Sequence, residues 1–196
     1  MSARWDAGAY RWVVRAAQHA PVPVDDVVRA FSDYGLGILA LLMICAWWRA
    51  RPGDDRRMAV ALAVPLVVVA AFLANDAVKS LVTEQRPCRT LHITTTVEPC
   101  PGPGDWSFPS NHAAIAAAAA FALLVADRRL GLIAMPLALA LAASRVWIGL
   151  HYPHDVAVGM ALGALVGWIL ARAARGAAPA VARLRAGPLR PALTTP

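Results

Sequence analysis

Apolar residues fall into five long segments separated by short polar and basic stretches. The segments are Phe31 to Trp48, Met58 to Val78, His112 to Ala126, Leu130 to Trp147 and Asp155 to Ala171. Four of the five are close to the length of about 20 residues that a helix needs to cross a bilayer, and the third, His112 to Ala126, is shorter. Upstream, residues 7–20 alternate apolar side chains with Arg11, Arg15 and Gln18, which is typical of a helix lying in the membrane interface. The pattern predicts an all-α fold: an integral membrane helical bundle of about five transmembrane helices plus an N-terminal interfacial helix, although residues 8–29 could also dip into the bilayer.

Composition supports the membrane class. Hydrophobic residues make up 59% of the chain, against roughly 45–50% in soluble domains. The net charge of +7 could suggest nucleic-acid binding, but the arginines form short runs between apolar segments, so we exclude nucleic acid and expect the lipid bilayer as partner. We predict one membrane domain over 1–175 and a basic, Pro-containing, disordered cytoplasmic tail over 176–196. The first 30 residues hold no uninterrupted apolar stretch typical of a cleavable signal peptide.

The arginine distribution predicts the orientation. The loop at 49–57, the turn at 128–129 and the C-terminal tail fall on one side, which the positive-inside rule assigns to the cytoplasm. Residues 79–110 and 145–154 then face outward from a multi-pass protein of the plasma membrane. Because that face is oxidising, we expect a disulfide between Cys88 and Cys100, while Cys45 lies within a span and stays free.

Three polar motifs interrupt the apolar pattern, and all three fall on the predicted outer side. They read Lys79-x6-Arg86-Pro87, Trp106-Ser107-Phe108-Pro109-Ser110-Asn111-His112 and Ser144-Arg145-x5-His151-x3-Asp155. Ser110 is a good N-cap for the alanine-rich third segment, whose first N–H groups would favour a phosphate. Taken singly, each motif has a plain alternative: a capped helix with an incidental histidine, arginines that extend to the interface, or an aspartate that favours a helix start.

Taken together, the motifs resemble the three signature motifs of the type-2 phosphatidic acid phosphatase superfamily, over roughly Phe31 to Leu170. Asn111 stands where the superfamily usually has glycine. A polar residue there is frequent in bacterial undecaprenyl diphosphate phosphatases of the bacitracin-resistance type, which are therefore the most similar branch. The resemblance implies a membrane phosphatase that converts undecaprenyl (polyprenyl) diphosphate to the monophosphate through a phosphohistidine, without metal or other cofactor.

The resemblance also implies roles for individual residues. The catalytic residues would be His151 as nucleophile, His112 as general acid and Asp155 as the partner of His151. Phosphate would be bound by Lys79, Arg86, Ser110, Asn111 and Arg145. His154 is a rival to His112 that falls outside the superfamily's spacing, and its His-x2-His spacing to His151 straddles a proline, which disfavours a zinc site.

Other functions stay open at this stage. The nearest alternative is a phosphatidic acid or phosphatidylglycerophosphate phosphatase. A non-enzymatic lipid-phosphate binder or transporter is an alternative of another class, since charges within a membrane also occur in transporters. From Asn111 to Ala126 the third helix spans 16 residues, or about 24 Å, which is shorter than the ~30 Å hydrocarbon core. We therefore expect a recessed site that opens sideways towards the lipid near Trp106, Phe108 and Trp147; the oligomeric state is left open.

Overall fold

The computed structural model describes residues 4–93 and 96–194, and within these ranges all regular secondary structure is helical. A 3-10 turn at Arg4–Asp6 precedes the first helix, and a second at Ala174–Ala177 follows the seventh. The helices are α1 Ala7–Gln18, α2 Val22–Ala50, α3 Asp55–Val82, α4 Pro87–Thr90, α5 Asn111–Ala126, α6 Arg128–Trp147, α7 Pro153–Ala173, α8 Ala178–Arg185 and α9 Arg190–Leu193.

The segments containing α2, α3, α6 and α7 are long and apolar enough to cross a membrane, whereas α5 is shorter. The predicted membrane helical bundle is thus present with four candidate spans among the described residues. The third of the five predicted apolar segments corresponds to α5.

Helix α5 forms the centre of the bundle and packs most extensively against α7, then α6 and α3. All nine of its alanines are buried, so neighbouring helices come close to its backbone. Glycines of α7 make this possible, because a Cβ at any of them would collide with a residue of α5 or its cap; the facing pairs are Gly159 with Ser110, Gly163 with Ala114 and Gly167 with Ala118. Small residues at such spacing allow close helix contact in membranes.

Asp127 organises the end of the bundle that lies away from the polar motifs. Its carboxylate caps α6 by accepting hydrogen bonds from the backbone N–H groups of Arg129 and Leu130. The same carboxylate pairs with Arg49 at 2.8 Å and with Arg57 at 2.7 Å. Burial alone would raise the pKa of Asp127, but these hydrogen bonds outweigh it and hold that pKa below its usual value.

Helix α1 lies across the other end of the bundle, against the third motif. Its buried residues include Tyr10 and Val14, and the Tyr10 hydroxyl donates to the Gly149 carbonyl at 2.8 Å. Trp5 and Trp12 remain 75% and 74% exposed, so one face of this segment is apolar and uncovered. This is the amphipathic helix expected from the sequence.

The C-terminal tail makes contacts with the bundle that the sequence does not predict. Arg185 of α8 donates to the Gly53 carbonyl and pairs with Asp55 at 2.9 Å. Val181 and Leu193 are buried against the start of α3. These contacts hold a proline- and arginine-rich segment against α3. The composition of the segment alone does not predict them. The division into a 1–175 domain and a tail stays a prediction.

Candidate active site

The three motifs meet at one end of the bundle, although they are far apart in the chain. This end is formed by the end of α3, the loop before α5, the start of α5, the end of α6 and the start of α7. Helices that alternate in direction bring alternate termini to the same end, so each motif sits at a helix end facing the others.

His151 and Asp155 form a buried pair at the turn between α6 and α7. Gly149 allows this turn with a φ of 87°, and Pro153 begins α7 as its first residue. The Asp155 carboxylate accepts the Tyr152 N–H at 2.8 Å through Oδ2, and the same oxygen lies 3.4 Å from Nδ1 of His151. His151 is 2% exposed and Asp155 0%, so water does not compete for this contact.

Arg86 holds the other side of the His151 ring. One guanidinium nitrogen donates to the Leu150 carbonyl at 3.0 Å and lies 3.3 Å from His151 Nε2. Another pairs with the Asp105 carboxylate at 2.9 Å. Asp105 was not singled out from the sequence, although it belongs to the loop that leads into the second motif. Arg86 is thus fixed beside Nε2 of His151, the residue predicted to be the nucleophile.

Arg145 is buried and directed inward from the end of α6. One of its guanidinium nitrogens donates to the Ser32 hydroxyl of α2 at 2.6 Å, while its Nε has no partner. Ser32 is fully buried and was also missed by sequence reasoning, because nothing in its neighbourhood distinguishes it from other small residues of an apolar helix. The unpaired Nε is a donor available to a ligand.

The surroundings keep His151 neutral. Burial lowers the pKa of His151 well below its usual value, and the positive charges of Arg86, Arg145 and Lys79 lower it further. A neutral imidazole has an unprotonated nitrogen that can act as a nucleophile. With Nδ1 directed at Asp155, that nitrogen is Nε2, beside Arg86.

Ser110 occupies the predicted N-cap position of α5, but its hydroxyl does not cap the helix. The hydroxyl is buried and has no hydrogen-bond partner, while the Ser110 N–H donates to the Asp155 carbonyl at 3.0 Å. The expectation of a side-chain cap is therefore wrong. The hydroxyl instead remains available at the positive end of the α5 dipole.

Asn111 has a partner that the sequence did not predict. Asn75, fully buried in α3, donates from its amide to the Asn111 side-chain oxygen at 2.6 Å and to the Pro109 carbonyl at 3.2 Å. Asn111 thus ties the start of α5 to α3. The contact with Asn75 does not test whether Asn111 binds phosphate, so that role stays a prediction.

His112 and Lys79 complete the group of predicted site residues. The His112 side chain is half-buried in the first turn of α5, within reach of the charges of Arg145, Lys79 and Arg86. The charges of the same three cations act on both His112 and His151, so a negatively charged ligand would be attracted to the space beside the two rings.

His154 makes the densest set of contacts near the site, although the sequence left it aside. Its Nδ1 lies 3.0 Å from Asp6, and its Nε2 lies 3.3 Å from both Glu84 and Asp155. Within the described residues, Glu84, His154 and Asp155 are also a group whose ligand atoms all lie within 4.8 Å of one another, so they are where a metal ion could be held. The absence of metal stays a prediction.

A disulfide joins Cys88 and Cys100, as the sequence predicts, with their Cα atoms 6.0 Å apart. Cys45 is free and exposed on α2. The bridge joins α4, which follows Arg86, to the loop that carries Asp105, and so stabilises the part of the site outside the helices.

A buried His–Asp pair, surrounded by three cations and the free hydroxyl of a helix start, defines a phosphatase built into a membrane helical bundle. The chain belongs to the PAP2 superfamily, whose family model matches residues 57–178.

Individual relatives agree with this assignment. The chain is 24% identical to the undecaprenyl-diphosphatase BcrC of Bacillus subtilis over 159 residues, which cover 81% of this chain and 79% of that protein. It is 39% identical to the decaprenylphosphoryl-5-phosphoribose phosphatase of Mycobacterium tuberculosis over 142 residues, 71% and 73% of the two chains. A crystal structure of a transmembrane PAP2-type phosphatidylglycerolphosphate phosphatase from Bacillus subtilis has the same fold, with a TM-score of 0.59, 21% identity and coverage of 85% and 84%.

Proposed function

We propose that this protein hydrolyses a polyprenyl diphosphate, with undecaprenyl diphosphate as the preferred substrate, to the monophosphate and inorganic phosphate. The observation that carries the proposal is the arrangement around His151: its Nδ1 lies 3.4 Å from the buried Asp155, and its Nε2 lies 3.3 Å from Arg86. The diphosphate specificity is taken from the relatives named undecaprenyl-diphosphatase.

The reaction proceeds in two displacements. His151 Nε2 attacks the terminal phosphorus, a N–P bond forms, and the P–O bond to the bridging oxygen breaks. His112 gives its proton to the departing lipid monophosphate. Water then attacks phosphorus, the N–P bond breaks and returns its electron pair to His151 Nε2, His112 takes up a proton from that water, and inorganic phosphate leaves. Asp155 supports the N–H at Nδ1 while the ring carries positive charge.

The phosphoryl oxygens are held by cations and neutral donors rather than by metal. Arg86 and Arg145 suit planar, bidentate phosphate contacts, and Lys79 adds a compact charge. Ser110 donates its free hydroxyl, and the first N–H groups of α5, including that of Asn111, complete the cradle. Arrangement of these donors before the substrate binds favours the transition state, in which negative charge increases at the same oxygens.

The same proposal includes the membrane orientation. We take α5 as a fifth span, with its start recessed below the surface because the helix is only 16 residues long. The arginine-rich end around Asp127 then faces the cytoplasm with the C-terminus, and the site faces outward. The substrate's headgroup would reach the site at the depth where lipid phosphates lie.

A groove between α2 and α6 offers a place for the polyprenyl tail. Its volume is about 340 Å³, and apolar side chains that include Phe31, Ala143 and Trp147 line it. Phe31 neighbours Ser32, the partner of Arg145, so the groove begins next to the phosphate-binding residues. Access from the side of the bilayer would thus run past Trp147.

A second candidate is a phosphomonoester on a polyprenyl-linked sugar. The relative with 39% identity is named a decaprenylphosphoryl-5-phosphoribose phosphatase, so its substrate combines a polyprenyl chain with a phosphate that leaves from a ribose. The cationic site would bind either phosphate. A phosphatidic acid or phosphatidylglycerophosphate substrate is supported only by similarity of fold.

Phosphate release from the purified, detergent-solubilised protein tests these substrates side by side. We expect undecaprenyl diphosphate to give the highest kcat/KM, ahead of decaprenylphosphoryl-5-phosphoribose 5-phosphate, phosphatidic acid and phosphatidylglycerophosphate. A preference for the ribose phosphate would select the second candidate. Binding without phosphate release from any of the four would favour a lipid-phosphate binder or transporter.

The nucleophile is tested by the His151→Ala variant. It should lose turnover and also lose covalent labelling from substrate carrying a labelled terminal phosphate. His19→Gln is a matched control, because His19 is exposed and bonds only its own helix, through Arg15. Full activity in His151→Ala would refute the phosphohistidine mechanism.

A further inference from the structure

His154 occupies a cage that the proposed mechanism leaves unused. Both ring nitrogens face carboxylates: Nδ1 lies 3.0 Å from Asp6, and Nε2 lies 3.3 Å from Glu84 and from Asp155. Asp6 comes from the N-terminal turn, Glu84 from the segment after α3, and Asp155 from the same helix as His154. These are the charged groups that face the ring from the elements around it.

The contacts determine the protonation of the ring. An ionised carboxylate only accepts hydrogen bonds, and a neutral imidazole has only one N–H. Since each nitrogen of His154 faces carboxylate oxygen, a neutral ring would turn a lone pair towards a negative charge, whichever nitrogen carried the hydrogen. The doubly protonated ring satisfies both sides.

Aromatic rings around His154 favour the same state. Tyr152 stacks on it with centroids 5.3 Å apart and planes 16° from parallel, and Phe108 and Trp5 lie at 5.8 and 6.0 Å with tilts of 35° and 34°. The face of an aromatic ring carries negative electrostatic potential and attracts a cation placed over it. A protonated imidazole therefore fits this cage better than a neutral one.

A cation beside Asp155 would stabilise its buried carboxylate. Asp155 is 0% exposed, and an unpaired buried carboxylate is strongly disfavoured. Its Oδ2 is engaged by the Tyr152 N–H and directed at His151, and the Ser107 hydroxyl also interacts with the carboxylate. Oδ1 lies 3.3 Å from His154 Nε2, which is the one cationic group within 4 Å of this carboxylate oxygen among the described residues. The His154 charge also lies between Asp155 and Glu84, whose like charges would otherwise repel.

We propose that His154, as an imidazolium held by Asp6, Glu84 and an aromatic cage, is a positioning residue that keeps Asp155 ionised and its Oδ2 turned towards His151. This inference rests on the proposed function, in which Asp155 orients the nucleophile. It also makes the N-terminal turn part of the active site, because Asp6 holds the far side of the ring.

The test is a set of variants measured for kcat, KM and phosphoenzyme formation with polyprenyl diphosphate. His154→Gln should lower kcat and the rate of phosphoenzyme formation by about 10²-fold, with KM nearly unchanged, because a misplaced nucleophile costs about that much. His19→Gln should leave all three unchanged. Asp155→Asn with and without His154→Gln should have the same kcat, because His154 acts through Asp155. The proposal would be overturned if the falls in kcat of the two single variants multiplied in the double variant, or if His154→Gln changed KM alone.

Asp6→Asn gives a second variant with a readout that a purely structural role would not move. Losing one anionic partner makes the imidazolium easier to deprotonate, so the alkaline limb of the kcat profile should shift to lower pH by about one unit. An unshifted limb would contradict the inference. The inference would also be contradicted if EDTA lowered the kcat of the wild type as much as His154→Gln does, because His154 would then be a metal ligand.

The failure of this inference is distinguishable from that of the proposed function. If His151→Ala retains activity, the phosphohistidine mechanism fails. If His151→Ala is inactive while His154→Gln is fully active, only the positioning role of His154 fails.

Discussion

Replacement of Ser110 by alanine separates a structural from a chemical role. The Ser110 hydroxyl is buried without a partner, so its removal breaks no hydrogen bond within the described structure. A side-chain N-cap, by contrast, would contribute about 1 kcal/mol to stability. We therefore expect the melting temperature of Ser110→Ala to equal that of the wild type.

Activity should respond differently. A hydrogen bond to a charged group contributes about 1.5–3 kcal/mol, and loss of a donor to developing negative charge has cost 10²–10³-fold in other enzymes. Taking about 2–3 kcal/mol, and tenfold in rate for each 1.36 kcal/mol, we expect kcat/KM to fall about 30- to 160-fold.

Ser144→Ala is the matched control, because that buried hydroxyl already donates to the Leu141 carbonyl at 2.7 Å. It should change phosphate release by less than about twofold and should cost some stability, since it breaks a made hydrogen bond. Thermal unfolding and phosphate release are measured on the same preparations. A destabilised Ser110→Ala that retains activity would refute the assignment of Ser110 to phosphate binding.

Four further predictions follow from the site. Because the pKa of His151 is lowered, its neutral form persists in acid, so the acid limb of kcat/KM should lie below the ordinary histidine value of about 6.5; a limb above it would contradict a neutral nucleophile. His112→Ala should slow release of a lipid alcohol or phosphate more than release of an activated phenol, and equal slowing would argue against a general acid. Activity should survive EDTA and be inhibited by vanadate, whereas loss in EDTA that a divalent cation restores would require a metal. Ala143→Trp should fill the groove beside α2 and lower kcat/KM about tenfold for undecaprenyl diphosphate but not for a short-chain diphosphate, whereas Ile133→Trp, at an exposed position of the same helix outside the groove, should change neither.

Local sequence signals predicted the helices and the positions of the motif residues. Pro153 and Ser110 lie where helices begin, because helix starts depend on neighbouring residues. The later apolar segments match helices closely, whereas α2 begins at Val22, nine residues before the predicted Phe31, because its first turns are too polar to stand out as an apolar run. The pairing of Cys88 with Cys100 followed from their shared loop.

The partners of the motif residues could not be predicted in the same way. Arg145 meets Ser32 across 113 residues, and His154 meets Asp6 across 148. Such contacts arise from how helices pack, and a single sequence gives no signal for them. The structure also altered local expectations, since the Ser110 hydroxyl does not cap α5 and the tail folds against α3.

The close contact of α5 with α7 sets a limit on how this catalyst can change. Backbone meets backbone at Gly159, Gly163 and Gly167, so no side chain is available to adjust the spacing between the start of α5, where we propose that phosphate binds, and the His151–Asp155 pair. The relative position of α5 and α7 is therefore fixed by main-chain geometry. By contrast, α1, α2 and the disulfide-linked loop pack around α5 and α7 through side chains. Substitutions in α1, α2 and the loop should consequently change the size of substrate that is accepted, whereas the contact between α5 and α7 should tolerate almost no substitution.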